Sequence, residues 1–167
     1  MDYPEIAVVT LFGGRTHLLE AYLHHLWSID YPRDKIHLVW YTNSKNEIFR
    51  EILKSKGEGR TGNYKSVNVI FDDDVPESMM LFEEADFQYS MMHGEIIARL
   101  YNSVWEKLPD VDFVFSLEDD MLASSHCVKR LLEGFKEGKD VAHHGNVFVV
   151  DFERLQGDAE ALFRGAG

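Results

Sequence analysis

The residues Phe113-Val114-Phe115-Ser116-Leu117 are followed directly by Glu118-Asp119-Asp120. The first five are mostly apolar and rich in aromatic and β-branched types, which is typical of a strand buried on both faces. Three adjacent carboxylates repel one another, and ionised acids beside an apolar core are costly unless they are paired or bound to a cation. The stretch therefore predicts either a Mg²⁺ or Mn²⁺ site at a strand end, or an ordinary acidic strand end before a helix capped by Ser124 or Ser125.

The composition is that of a globular, acidic chain. Its 167 residues are 45% hydrophobic and carry a formal net charge of -12, which suits one domain with a sizeable core. A surface this acidic argues against binding nucleic acid or an anionic membrane, while a metal or local arginines can still attract an anionic ligand. The single cysteine, Cys127, allows no internal disulfide, and no apolar run approaches the ~20 residues that span a bilayer. We expect a cytoplasmic protein without a membrane span.

Apolar strands alternate with amphipathic helices along the chain. The predicted strands are Ile6–Phe12, Lys35–Tyr41, Val67–Phe71, Phe113–Leu117 and Asp140–Val150. Helices are predicted from His17, capped by Thr16, to before Tyr31-Pro32, and over Asn46–Lys56, Asp86–Leu108 and Val128–Phe135. Such alternation predicts an α/β fold in which a mostly parallel central sheet carries helices on both faces.

Three polar loops follow the first, second and fourth predicted strands, at Thr10 to Arg15, Thr42 to Ser44 and Glu118 to Asp120. Ligands of such sheets bind beyond the carboxyl ends of the strands, where the strand order reverses, so we expect these loops to meet there. Gly13-Gly14 allows a sharp turn and the close approach of a ligand. A second acidic run, Asp72-Asp73-Asp74, is interpreted as a solvated turn at a sheet edge, because runs of Asp favour turns.

Together these residues resemble the GT-A glycosyltransferases, the nucleotide-diphospho-sugar transferase fold, and their pattern is closest to the family-2-like group. The resemblance covers Ile6 to about Val150. It is carried by Leu11-Phe12-Gly13-Gly14-Arg15, by Tyr41-Thr42-Asn43-Ser44, by the helical run Gly94–Asn102 that contains Arg99, and by Glu118-Asp119-Asp120 in the place of the DxD motif. It implies a Rossmann-like nucleotide-sugar-binding core over residues 1–150 and a short tail over residues 151–167.

The resemblance further implies transfer of a sugar from a UDP or GDP sugar to an unknown acceptor, with Mn²⁺ or Mg²⁺ as cofactor. Asp120 and Glu118 are the implied metal ligands. The implied nucleotide-sugar contacts are Thr10, Phe12, Gly13, Arg15, Thr42, Asn43, Arg99, Glu118 and Asp119.

The acceptor half and the catalytic base are the open points of the resemblance. An inverting member needs a carboxylate base after the fifth strand, where Asp151 and Glu153 are the only nearby acids. Related enzymes are usually longer, so we expect the acceptor half to be abbreviated or missing. The alternative is a nucleotide-sugar-binding module without transfer activity of its own, or part of a larger assembly such as a homo-oligomer. A response-regulator-like receiver is disfavoured, because Gly13-Gly14-Arg15 lacks the acid pair expected after its first strand.

Overall fold

Strands and helices alternate along the part of the chain that the computed structural model describes, which comprises residues 3–75, 98–136, 141–144 and 147–151. The strands are β1 (Ile6–Leu11), β2 (Ile36–Thr42), β3 (Ser66–Phe71), β4 (Phe113–Ser116), β5 (Val141–His144) and β6 (Val147–Asp151). The helices are α1 (Thr16–Trp27), α2 (Glu47–Glu58), α3 (described over 98–105) and α4 (Cys127–Lys136), and a 3₁₀ turn lies at Arg33–Lys35.

The described strands form one sheet in the order β3-β2-β1-β4-β6-β5. Neighbouring strands among β3, β2, β1 and β4 are parallel, so their carboxyl ends share one edge. The chain moves from β1 to β2 and β3 on one side and then returns to β4 on the other side, so the strand order reverses at β1. The predicted α/β class with a mostly parallel sheet is confirmed.

The prediction of one strand over Asp140–Val150 is wrong. The two strands β5 and β6 occupy this region and pair antiparallel, with Val141 opposite Val150. The two residues between them in the sequence, Gly145-Asn146, are a pair typical of a two-residue hairpin connection. Because the chain direction reverses between the two strands, β6 is the strand that adds to β4, and it does so antiparallel.

Helices cover both faces of the sheet, as predicted. Residues of α1, α2 and α4 share one apolar cluster with alternate residues of β1 and β2, including the fully buried Trp40. On the other face, Leu100 and Val104 of α3 form a second apolar cluster with residues of the same strands, namely Ala7, Val9, Val39 and Tyr41. Every residue of β2 is therefore buried, which explains why all of them except His37 and Thr42 are apolar.

The first helix begins one residue earlier than predicted. Arg15 precedes the first helical residue, Thr16, and makes no side-chain capping bond. The prediction that Thr16 caps the helix is wrong, because the turn at Gly14 already brings Thr16 into the first helical turn, with its N–H 3.0 Å from the Gly14 carbonyl oxygen. By contrast, α2 has a side-chain cap, in which Asn46 Oδ1 accepts a bond of 3.1 Å from the Phe49 N–H.

Some predictions fall on residues that the structure does not describe. For the predicted helix Asp86–Leu108, α3 is described from residue 98, and residues 86–97 lie outside the described ranges. Glu153 and the rest of the tail, residues 152–167, also lie outside them. Within the described ranges, no helix has the length and apolarity needed to cross a bilayer.

Candidate functional site

The loops after β1, β2 and β4 come together at the carboxyl edge of the parallel strands. The backbone N–H of Gly13 donates to Asp119 Oδ2 over 2.9 Å and so joins the first loop to the third. Thr42 Oγ1 donates to the Phe12 carbonyl over 2.7 Å and joins the second loop to the first. The predicted convergence of the three loops is confirmed, and we call this arrangement the loop junction.

Gly14 is needed in the loop junction for two reasons. Its φ is +78°, a backbone conformation that side-chain-bearing L-residues rarely adopt. In addition, a Cβ at this position would lie 2.8 Å from Ser44 Oγ and 3.2 Å from Ser44 Cβ. Ser44 is buried and has little room to move. The first and second loops therefore pack this closely because residue 14 has no side chain.

Arg15 binds two of the three adjacent acids. Its Nη2 donates to Asp119 Oδ1, and its Nη1 donates to Asp120 Oδ2 over 2.9 Å. Burial lowers the pKa of the Arg15 guanidinium, but the hydrogen bond and charge of Asp119, together with the charges of Asp120 and Glu118, raise it overall. Arg15 is therefore a permanent cation beside the acidic loop.

The three acids differ in how far they are exposed. The side chain of Asp119 is 3% exposed, whereas that of Asp120 is 40% exposed. Glu118 is half-buried, and its pKa is raised by burial and by the neighbouring Asp120 and Asp119 charges, against an opposing effect of Arg15. Asp119 thus anchors the loop from inside, while Glu118 and Asp120 lie nearer to solvent.

Solved structures share this arrangement of strands and helices. The mannosyltransferase PcManGT from Pyrobaculum calidifontis, in complex with GDP-Man and Mn²⁺, matches with a TM-score of 0.61 at 14% identity, over 94% of this chain and 47% of that chain. The crystal structure of S. aureus TarS 1-349 matches with a TM-score of 0.63 at 11% identity, over 93% of this chain and 49% of that chain. Mouse xyloside xylosyltransferase 1 matches with a TM-score of 0.51 at 14% identity, over 98% of this chain and 71% of that chain. The chain has the GT-A glycosyltransferase fold.

A curated sequence relative is also a glycosyltransferase. It is named "Glycosyltransferase 25 family member", comes from Drosophila pseudoobscura pseudoobscura, and is 26% identical over 140 residues. The match covers 80% of this chain and 21% of the relative, so the chain spans about a fifth of that protein. No family model matches the chain. The resemblance to GT-A glycosyltransferases inferred from the sequence is confirmed by both kinds of match.

Thr10 and Phe12 lie in the GT-A core beneath the loop junction. Thr10 is fully buried, and its hydroxyl shares a hydrogen bond with the Tyr22 hydroxyl. Phe12 is also buried and packs edge-on against Tyr22 and Trp40, with ring centroids 5.3 and 5.7 Å apart. The side chains of both residues therefore support the first loop from inside the core, and their contact with a ligand stays a prediction.

The second loop and α3 contribute residues of different exposure. Thr42 and Asn43 are buried, and Thr42 Oγ1 also accepts a bond of 3.1 Å from the Ser44 N–H. These residues fix the shape of the second loop beside Gly14. Arg99 is exposed on α3, so its guanidinium is accessible to a ligand from solution.

Asp151, which the sequence names as a candidate for the catalytic base without assigning it, lies at the opposite end of β4 from the three acids. Asp151 ends β6 and is paired in register with Phe113, the first residue of β4. The acids follow the opposite end of β4, after Ser116, and three residues of strand separate the two ends by roughly 10 Å. This placement follows from the strand direction, because an antiparallel β6 returns its carboxyl end to the far edge of the sheet.

Tyr101 lies beside the loop junction and was not among the predicted residues. Its hydroxyl is 2.7 Å from Ser116 Oγ, at the end of β4. Burial raises the pKa of Tyr101, the Ser116 hydrogen bond lowers it, and the nearby charge of Glu118 raises it further. The available signal was its position in the helical stripe, three residues before the buried Val104, where a side chain with a polar tip needs a partner.

The second acidic run forms a turn after the edge strand β3, as predicted. Asp72 accepts bonds from the N–H groups of Asp74 and Val75 over 2.8 and 3.0 Å, and also from the Tyr41 hydroxyl. Asp73 is exposed and ion-paired. The expectation of a fully solvated run is wrong for Asp72, which is buried because these three donors replace its water.

The described residues of the GT-A core do not form a complete metal site by themselves. In the described ranges, no three His, Cys, Asp or Glu side chains are grouped so that they could hold a metal ion. Glu118 and Asp120 nevertheless supply hard oxygen donors, and a divalent cation between them would relieve their repulsion. The donor set fits Mg²⁺ or Mn²⁺ held jointly by one or two carboxylates and a diphosphate.

Proposed function

We propose that this chain is the donor-binding part of a glycosyltransferase that transfers a sugar from a UDP or GDP sugar, with Mn²⁺ or Mg²⁺, to an acceptor. The observation that carries the proposal is the loop junction, which joins a glycine turn, an arginine and three acids where the strand order reverses. It is supported by PcManGT, whose structure contains GDP-Man and Mn²⁺, and by TarS structures that contain UDP and UDP-GlcNAc. The single cysteine, Cys127, supports a cytoplasmic location.

In this proposal Glu118 and Asp120 hold the cation, and the first loop binds the diphosphate. The bound cation supplies Lewis-acid stabilisation of the departing diphosphate. Arg15 adds a permanent positive charge, and Gly13, which is exposed and has no side chain, lets the diphosphate approach the backbone closely. Thr42 and Asn43 form the wall on the β2 side.

Replacement of Asp120 by alanine tests the proposal. We expect the wild-type protein to bind UDP or GDP in the presence of Mn²⁺, and Asp120→Ala to lose this metal-dependent binding, because a principal metal ligand is gone. The fold should survive, since the Asp120 side chain is 40% exposed and its ion pair contributes about 0–1 kcal/mol. Calorimetric titration of each nucleotide diphosphate with and without Mn²⁺ measures the effect.

Asp73→Ala is the matched control for this experiment. Asp73 is also an exposed acid after a strand, and it also pairs with an arginine, since Arg50 Nη2 lies 2.8 Å from its Oδ1. It lies after β3, outside the loop junction, so its loss should leave nucleotide binding intact. Unchanged metal-dependent affinity in Asp120→Ala would remove Asp120 from the site, and equal losses in both variants would mean that the effect is not local.

A second candidate is a nucleotide-sugar-binding unit that transfers only together with further protein. It is favoured by the shares of PcManGT and TarS that the chain covers, 47% and 49%, and by the position of Asp151 away from the acids. Release of nucleotide diphosphate, measured with and without acceptors on a sample of known oligomeric state, separates the candidates. Rapid acceptor-dependent turnover by a monomer favours a complete enzyme, whereas donor binding without such turnover favours the unit.

A further inference from the structure

The two hydrogen bonds of Arg15 lie in different surroundings. Nη2 meets Asp119, whose side chain is 3% exposed and also accepts the Gly13 N–H. Nη1 meets Asp120, whose side chain is 40% exposed. One branch of the guanidinium is therefore held inside the protein, and the other reaches the carboxylate that we assign to the metal.

A divalent cation and Arg15 would compete for Asp120. The three acids carry three negative charges and Arg15 adds one positive charge, so an excess of two negative charges remains at the acidic loop. A divalent cation matches this excess, but its proposed ligand Asp120 already accepts a bond of 2.9 Å from Arg15 Nη1 through Oδ2. An oxygen that coordinates a cation closely is a poor acceptor for an arginine at the same time, because the two positive charges repel.

We propose that Arg15 is a positioning residue with one fixed branch and one exchangeable branch, and that the metal replaces the branch on Asp120. Nη2 stays on Asp119, and the released Nη1 donates to the diphosphate that arrives with the metal. Metal and nucleotide then bind cooperatively, because each favours the same arrangement of Arg15. This inference rests on the proposed function, since it takes Asp120 as a metal ligand and a nucleotide diphosphate as the second ligand.

The difference in exposure explains why only one branch would exchange. A solvent-exposed ion pair contributes little and is screened by salt, so a divalent cation displaces it readily. The buried pair with Asp119 resists exchange, because breaking it would leave a carboxylate without its charged partner inside the protein. A guanidinium suits this role, since its planar fork can keep one bond while it gives up the other.

Arg15→Gln and Arg15→Lys test the inference through binding alone. Mn²⁺ affinity without nucleotide is measured by electron paramagnetic resonance of free Mn²⁺, and nucleotide diphosphate affinity at saturating Mn²⁺ by calorimetry. For Arg15→Gln we expect Mn²⁺ to bind about two- to fivefold more tightly, since the competing exposed pair is gone. We expect the nucleotide diphosphate to bind about tenfold more weakly, since a charge-assisted bond is lost.

Arg15→Lys separates competition from a simple effect of charge. Lysine keeps the positive charge but lacks the fork, so it holds Asp119 and leaves Asp120 open. Mn²⁺ should therefore still bind more tightly than in the wild type, and this variant decides the question if Arg15→Gln does not fold. Lys129→Gln, which removes a lysine that lies 2.7 Å from Asp30 outside the loop junction, is the charge-matched control and should change neither affinity.

The outcomes distinguish this inference from the proposed function. Tighter Mn²⁺ binding in both Arg15 variants, together with weaker nucleotide diphosphate binding in Arg15→Gln, supports the inference. If Mn²⁺ and the nucleotide bind to the wild type, but Arg15→Lys binds Mn²⁺ no more tightly, the exchange is refuted and the proposed function stands. If the wild type binds neither Mn²⁺ nor a nucleotide diphosphate, both are refuted.

Discussion

Replacing Gly14 by alanine should destabilise the protein more than its half-buried position in a loop suggests. The left-handed backbone at Gly14, with φ of +78°, costs an alanine about 1–2 kcal/mol. The new Cβ would also lie 2.8 Å from Ser44 Oγ and 3.2 Å from Ser44 Cβ, and overpacking against a buried group costs about 1–3 kcal/mol. The two effects together predict a loss of about 2–5 kcal/mol from the free energy of unfolding, a large part of the stability of a typical domain.

Gly62→Ala is the matched control for this substitution. Gly62 has a similar backbone, with φ of +90°, but a Cβ there would meet no heavy atom within 4 Å. It should therefore show only the backbone cost of about 1–2 kcal/mol. Urea unfolding of both variants, followed by tryptophan fluorescence, isolates the contact with Ser44 as the difference between them.

A double variant checks the cause of that difference. In Gly14→Ala with Ser44→Ala the hydroxyl that lies nearest to the new Cβ is removed, so part of the lost stability should return. If Gly14→Ala and Gly62→Ala lose the same stability, the contact with Ser44 does not exclude a side chain at residue 14. The close packing of the first and second loops then does not depend on Gly14.

Two further substitutions test the fold around the site. Gly57→Ala should lower the free energy of unfolding by up to about 2 kcal/mol, because the added Cβ would lie 2.6 Å from Val69 Cγ2, and this contact outweighs the gain in helix propensity. Gly59→Ala is the control and should be nearly neutral in the same urea unfolding assay. Asp72→Asn should lower the free energy of unfolding most at neutral pH and progressively less in acid. Burial raises the pKa of Asp72, but its hydrogen bonds, of which that from Tyr41 has the largest effect, lower the pKa overall. The carboxylate of the folded wild type therefore contributes stability above about pH 4, the unfolded value, which is lost as the pH falls through the lower folded value. A cost that does not shrink in acid, measured by urea unfolding between pH 7 and pH 3, would contradict the assignment.

The parallel part of the sheet was predictable because its signal is local. Strands buried on both faces are apolar at most positions, so the segments of β1 and β2 stand out from the amphipathic helices that follow them. Alternation of strands and helices then requires crossovers, which make the strands parallel and bring their loops to one edge. The sequence predicts one strand in place of the hairpin of β5 and β6, because the apolar segments of the two strands lie only two residues apart. The turn signal between them is Gly145-Asn146.

The different exposure of the three acids was not predictable from the sequence. Adjacent carboxylates look equivalent in a sequence, and their exposure depends on contacts with distant residues. Asp119 is buried because it meets Gly13 and Arg15, which lie 106 and 104 positions away in the chain. The location of Asp151 was also not predictable from the sequence, because it depends on the direction in which β6 joins the sheet.

The bond from Gly13 to Asp119 also makes the loop junction respond unequally to mutation at its two ends. The donor is a main-chain amide, so it remains whichever side chain residue 13 carries, with proline as the sole exception. A Cβ at Gly13 would come no closer than 3.9 Å to Arg15 Nε or Asp119 Oδ2, so the position also has room for a larger residue. A scan of side chains along the chain would thus detect this link at Asp119 alone, and tolerance at residue 13 would hide its part in holding the two loops together.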